Sequence, residues 1–132
     1  MKYWKLWACI VAFSSFFALG AEQSPREGHG GDAVAIEFRA AAVKVAALLK
    51  EAPFAQGSIN PDDFEDYAHS AKITSQARTV LDGTEVDAIN YPDARPRKIV
   101  VSRSRWFSPD NTANRKLVLA FHEILSLMRI ED

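Results

Sequence analysis

The chain reads as an α+β domain behind an export leader: two helices, a three-stranded antiparallel β-meander and a closing helix. Three observations carry that expectation. Apolar residues recur at helical spacing over 33–50 and again over 112–130. Between them the period switches to two, around Asp82-Gly83, a dipeptide that suits a two-residue hairpin turn. The longest apolar run, Leu6 to Leu19, stands at the N-terminus behind Lys2 and Lys5.

That run has the layout of a secretory signal peptide: basic residues, an apolar stretch, then the small-residue step Ala18-Leu19-Gly20-Ala21. It is 14 residues long and broken by Ser14 and Ser15, short of the roughly 20 residues that span a membrane. The expected organisation is a signal peptide over 1–21, a flexible mature N-terminus over 22–31 and a single domain over 32–132. Cleavage near Gly20 or Ala21 leaves a periplasmic or secreted protein with no stable membrane span. Cys9, the sole cysteine, lies within the run. The mature chain therefore has no disulfide, no thiol chemistry and no cysteine at the cut to carry a lipid, and its stability depends on packing.

Asp32 is the expected N-cap of the first helix, which presents Phe38, Ala41, Ala42, Val45, Leu48 and Leu49 as one stripe and stops at Pro53 and Gly57. Asn60-Pro61 opens a shorter helix, with Asp62 and Asp63 at the positive end of its dipole and Phe64, Tyr67, Ala68 and Ala71 as its buried side. Alternation over Lys72–Leu81 and Thr84–Tyr91 predicts a hairpin. The β-branched run Ile99-Val100-Val101 predicts a third strand over Lys98–Trp106. Ser108-Pro109-Asp110-Asn111 ends the sheet. In the last helix Leu117, Ala120, Phe121, Ile124, Leu125 and Met128 form a broad apolar face. Leu119 and Ile130 fall on the opposite side and suggest a homodimer through this helix.

Loss of Lys2 and Lys5 moves the net charge from −1 to −3, which gives no electrostatic footprint for nucleic acid. Charge is unevenly placed. Glu51–Asp93 holds nine acids and two bases, and Ala94–Arg129 eight bases and two acids, so the two halves are expected to attract. On an extended strand Arg103 and Arg105 share one face, suited to a carboxylate or phosphate, while Ser102, Ser104 and Trp106 share the other. Trp106 either stacks on a ligand or fills the core. Gly-x-Ser-x-Gly, the Walker loop and a dinucleotide-binding fingerprint are all absent from the sequence.

Two metal arrangements suggest themselves. Asp62, Asp66 and His69 share a helix side. His122-Glu123, preceded by Leu119-Ala120-Phe121, resembles the zinc-binding helix of zincin metalloproteases, whose His-Glu-x-x-His places two ligands on one face and a glutamate beside the metal-bound water. That resemblance implies zinc held by His122, with Glu123 as the catalytic base; a further histidine ligand would have to be His69 or His29, which the sequence does not place beside them. The chain departs from the pattern at the second histidine, where Ser126 stands, and only Glu131 and Asp132 remain downstream to supply a further ligand.

Gly30-Gly31-Asp32, Leu81-Asp82-Gly83, the stretch Asp87-Ala88-Ile89-Asn90-Tyr91-Pro92, Val101-Ser102-Arg103-Ser104-Arg105-Trp106 and Phe121-His122-Glu123-Ile124-Leu125 together span most of the mature chain. Through them the chain resembles short, signal-bearing, uncharacterised proteins of predatory Gram-negative bacteria, a resemblance that implies export and no particular activity. The functional expectation is a non-catalytic domain that binds a protein or cell-envelope component through Arg103, Arg105 and Trp106 or through the last helix, and needs no cofactor. The alternative is a minimal zincin-like hydrolase using His122-Glu123.

Overall fold

The computed structural model describes residues 32–52 and 59–130. The leader, the 22–31 segment with His29, Pro53, Gly57, Glu131 and Asp132 lie outside the described residues.

Helix α1 (Ala33–Glu51) begins where Asp32 caps the Ala35 N–H at 3.2 Å. It buries Val34, Phe38, Ala42, Val45 and Leu49 along one face. Helix α2 (Pro61–Ser70) is capped by Asn60, whose Oδ1 accepts from the Asp62 and Asp63 N–H groups at 2.9 and 3.4 Å. Its far end leaves carbonyls without helical partners. The Arg39 guanidinium, reaching across from α1, donates to the carbonyls of Ala68, His69 and Ala71 at 2.6, 2.8 and 2.9 Å. One side chain thus closes the end of α2 and locks the two helices together.

The sheet departs from a meander. Each arm of the expected hairpin breaks in two, giving β1 (Lys72–Gln76), β2 (Thr79–Leu81), β3 (Thr84–Val86) and β4 (Ala88–Tyr91). The turn itself is as expected: Asp82 and Gly83 take φ of 51° and 80°, and β2 pairs antiparallel with β3. Beyond bends at Ala77 and Asp87 the arms splay, and β5 (Lys98–Ser102) inserts between them. The strand order is β1-β5-β4, with β5 parallel to β1 and antiparallel to β4. The backbone groups freed at the bends are taken by the chain leaving β5: Ser102 N–H bonds the Asp87 carbonyl at 2.8 Å and Ser104 N–H the Ala77 carbonyl at 3.1 Å. Ile99, Val100 and Val101 are all buried, as a strand covered on both faces requires.

The third strand also ends early. Residues Arg103–Trp106 form a helical turn, α3, instead of extending β5. Helix α4 (Ala113–Leu127) starts at Thr112, whose Oγ1 accepts from Arg115 N–H at 3.3 Å. It stops in a Schellman motif: Arg129 takes φ 58°, its N–H bonds the Ser126 carbonyl, and the Ile130 N–H bonds the Leu125 carbonyl. A helical wheel carried through residue 130 therefore misplaces Ile130. The left-handed residue turns the chain back, and both Ile130 and Leu119 are half-buried against the core. That core joins α1, α2, α4 and the sheet, with Phe38 against Trp106 at 5.8 Å and Phe64 against Phe121 at 5.9 Å between ring centroids. Among the described residues no helix is long and apolar enough to cross a membrane.

Candidate functional site

Because α3 is helical, the expected alternation of Arg103 and Arg105 against Ser104 and Trp106 does not hold. Trp106 is 2% exposed. Its indole N–H donates to Glu37 Oε2 at 2.7 Å, and Lys116 stands over the ring at 4.9 Å. A buried indole with its donor satisfied is packed as a core residue. Arg105 is held by the Glu85 carbonyl at 3.0 Å and by Asp87 Oδ1 at 3.4 Å. Arg103 reaches back to the Ser75 carbonyl and hydroxyl at 3.3 and 3.4 Å. Glu85 accepts from the Ser104 hydroxyl at 2.7 Å, and that bond, which outweighs an opposing push from burial, holds its carboxyl below the ordinary value. The expected attraction between acidic and basic halves appears in Arg105 with Glu85 and Asp87, and in Arg129 with Asp93.

On α4, Glu123 is 5% exposed, and its Oε2 accepts from Asn90 Nδ2 of β4 at 2.9 Å. His122 Nε2 lies 3.9 Å from the other carboxylate oxygen. The glutamate thus faces the sheet, tying helix to strand. Ser126, which stands at the position of the second histidine, is buried. His69 sits at the C-terminal end of α2, exposed, and Asp62 pairs with Lys50 at 3.5 Å. Among the described residues no group of three or more His, Cys, Asp or Glu converges on a point that would hold a metal ion.

The structure draws attention instead to the outer face of α1. Ile36, Ala40, Val43 and Ala47 recur at i, i+4, i+7 and i+11, opposite the buried stripe. With Ala35 and Ile73 of β1 they floor an open groove of about 690 Å³, rimmed by Asp32, Arg39 and Lys44. Ile36 is 63% exposed, a large apolar side chain left in solvent. The sequence carried this signal, since α1 is apolar on two faces and a helix packed on one side needs only one. Reading one stripe alone passed over it.

Asp32 at the groove's end is already occupied. Beyond its cap, its carboxylate accepts the Ser75 N–H at 2.7 Å and the Ser75 hydroxyl at 2.7 and 2.8 Å. Burial pushes its carboxyl up, but the bonds from Ser75, Ala35 and Val34 outweigh that and hold it below the ordinary value. The Asp32 carboxylate thus accepts from both the backbone and the hydroxyl of Ser75 as well as from the first turn of α1. The acid caps α1 and takes up one N–H on the edge strand β1, which ties the helix start to the sheet. Rim polar groups are thus committed to the fold, and the floor offers apolar contact. The chain matches no family model, no curated protein and no solved structure.

Proposed function

We propose that this chain is an exported, non-catalytic binding domain, periplasmic or secreted once its leader is removed, which takes an apolar, uncharged segment of a protein along the outer face of α1. The groove over Ile36, Ala40, Val43 and Ala47 is the observation that carries this reading. From Ile36 to Ala47 it extends about 17 Å at 1.5 Å per residue, room for a three-turn helix laid on small side chains. The face made of Arg103 and Arg105 supports binding less well, because both guanidinium groups are engaged with neighbouring backbone and side chains.

The test uses the processed protein recovered from the producing cell and the neutral dye N-phenyl-1-naphthylamine, which fluoresces in apolar sites. The expected result is saturable binding that weakens at least tenfold in Ala40→Glu and Ile36→Glu, with helix content unchanged. Arg103→Ala with Arg105→Ala should leave it intact. Binding that ignores both groove variants, or that is lost with the arginines, overturns the assignment.

A further inference from the structure

We propose that the outer face of the sheet binds a phosphate monoester carried on a sugar ring, at the end where β1 and β5 begin. The register sets Lys72 of β1 opposite Lys98 of β5, and Lys98 opposite Tyr91 of β4. Register partners project to one face of a sheet. The next row, Ile73, Ile99 and Asn90, projects to the other face, where both isoleucines are buried and Asn90 meets Glu123 of α4. Lys72, Lys98 and Tyr91 therefore share the face turned away from the helices. Tyr91 is 43% exposed, and Lys98 Nζ stands 5.6 Å from the centre of its ring. Arg97 enters at the same end of the sheet. Its carbonyl accepts from the Lys72 N–H at 2.8 Å, its guanidinium lies over the Tyr67 ring of α2 at 5.0 Å, and its Nε is buried without a hydrogen-bond partner among the described residues.

Lys50, Arg105, Lys116 and Arg129 each pair with a carboxylate, whereas among the described residues none of Lys72, Arg97 and Lys98 does. Two ammonium side chains abreast on strands about 4.8 Å apart repel each other. A dianionic phosphate between them turns that repulsion into attraction and accepts hydrogen bonds from both. The ligand is compact, because the cations stop after one row. The following rows on this face hold Thr74, Val100 and Ile89, then Gln76 and Ser102, so no basic track is laid out for a nucleic-acid backbone. The partly exposed Tyr91 ring beside the phosphate position offers an apolar surface to the C–H face of a sugar. Lys72 and Ile73 project to opposite faces of β1. The site is therefore separate from the groove that Ile73 lines, and both can be occupied at once.

The test titrates the processed protein with glucose 1-phosphate in a calorimeter at low ionic strength. The expected result is saturable binding, weakened at least tenfold in Lys72→Gln and in Lys98→Gln, with glucose itself not binding. Inorganic phosphate should bind at least threefold more weakly than the sugar phosphate, and Tyr91→Ala should abolish that preference. Lys72 is exposed, so Lys72→Gln should keep the far-ultraviolet circular dichroism of the parent, which separates lost binding from lost structure. Arg78→Gln, which removes a cation from the hairpin, and Ile36→Glu, in the groove, should leave the affinity within twofold. Absence of saturable binding, or equal losses in Arg78→Gln and Lys72→Gln, overturns the proposal. So does tighter binding of single-stranded oligothymidylate than of glucose 1-phosphate, which would make this face a nucleic-acid platform. Equal affinity for phosphate and sugar phosphate overturns the assignment of a sugar.

Discussion

Replacing Asp32 perturbs three elements at once. Its carboxylate caps α1 through Ala35, holds the backbone and hydroxyl of Ser75, and so ties the helix start to the edge of β1 across 43 positions of sequence. Asp32→Ala removes an N-cap, which costs about 1 kcal/mol, and charged hydrogen bonds to Ser75, worth about 1.5–3 kcal/mol where water cannot replace them. Asp32 is only half-buried, so solvent recovers part of the second contribution, and the expected total is about 2–3 kcal/mol. For a domain of this size that lowers the melting temperature by roughly 10–20 °C, read by circular dichroism at pH 7. The pH dependence supplies a second readout. Because the folded-state pKa lies below the unfolded one, the stabilisation is fully present above the ordinary value of 3.8 and is lost as pH falls through the folded-state value. Asp32→Asn keeps an N-cap acceptor but has nothing to titrate, so its stability should fall less steeply than that of the parent below pH 4. A loss under 1 kcal/mol in Asp32→Ala, or parallel acid-unfolding curves for parent and Asp32→Asn, would refute this reasoning.

Arg129→Gly should raise the urea midpoint by the equivalent of about 0.5–1 kcal/mol, because glycine enters the left-handed C′ position without strain and the exposed pair with Asp93 contributes little. Glu123→Leu should cost about 1–3 kcal/mol by removing the acceptor of the Asn90 amide. Combined with Asn90→Leu it should cost less than the two single changes added together, a coupling read from a double-mutant cycle. Ser104→Ala should let the Glu85 carboxyl return toward its ordinary value, an upward shift visible in side-chain carboxyl chemical shifts against pH.

The three long helices were legible because their causes are local. Asp32, Asn60 and Thr112 stand at the caps, and each apolar stripe follows within a few residues. The sheet was less so. Gln76-Ala77-Arg78 and Val86-Asp87-Ala88 contain no glycine or proline, so nothing in the sequence announces the bends that let β5 enter. The run Ile99-Val100-Val101 held the one clue, since three consecutive apolar residues suit a strand covered on both faces and hence a central place. Ser102-Arg103-Ser104-Arg105-Trp106 alternates like a strand, yet the chain coils there and the Trp106 indole meets Glu37 of α1, a partner 69 positions away. Periodicity cannot foresee such a distant contact. The same limit hid the link between Asp32 and Ser75 and the bond by which Glu123 ties α4 to Asn90.

The most direct measurement of where this domain binds is amide chemical-shift mapping of the labelled, processed protein during titration with an uncharged, helix-forming apolar peptide. The account predicts shifts concentrated over Ala35–Ala47 and at Ile73, saturating together and abolished by Ala40→Glu. Shifts gathered instead on Arg103–Phe107 or on the exposed end of α4, or none at all, would contradict it.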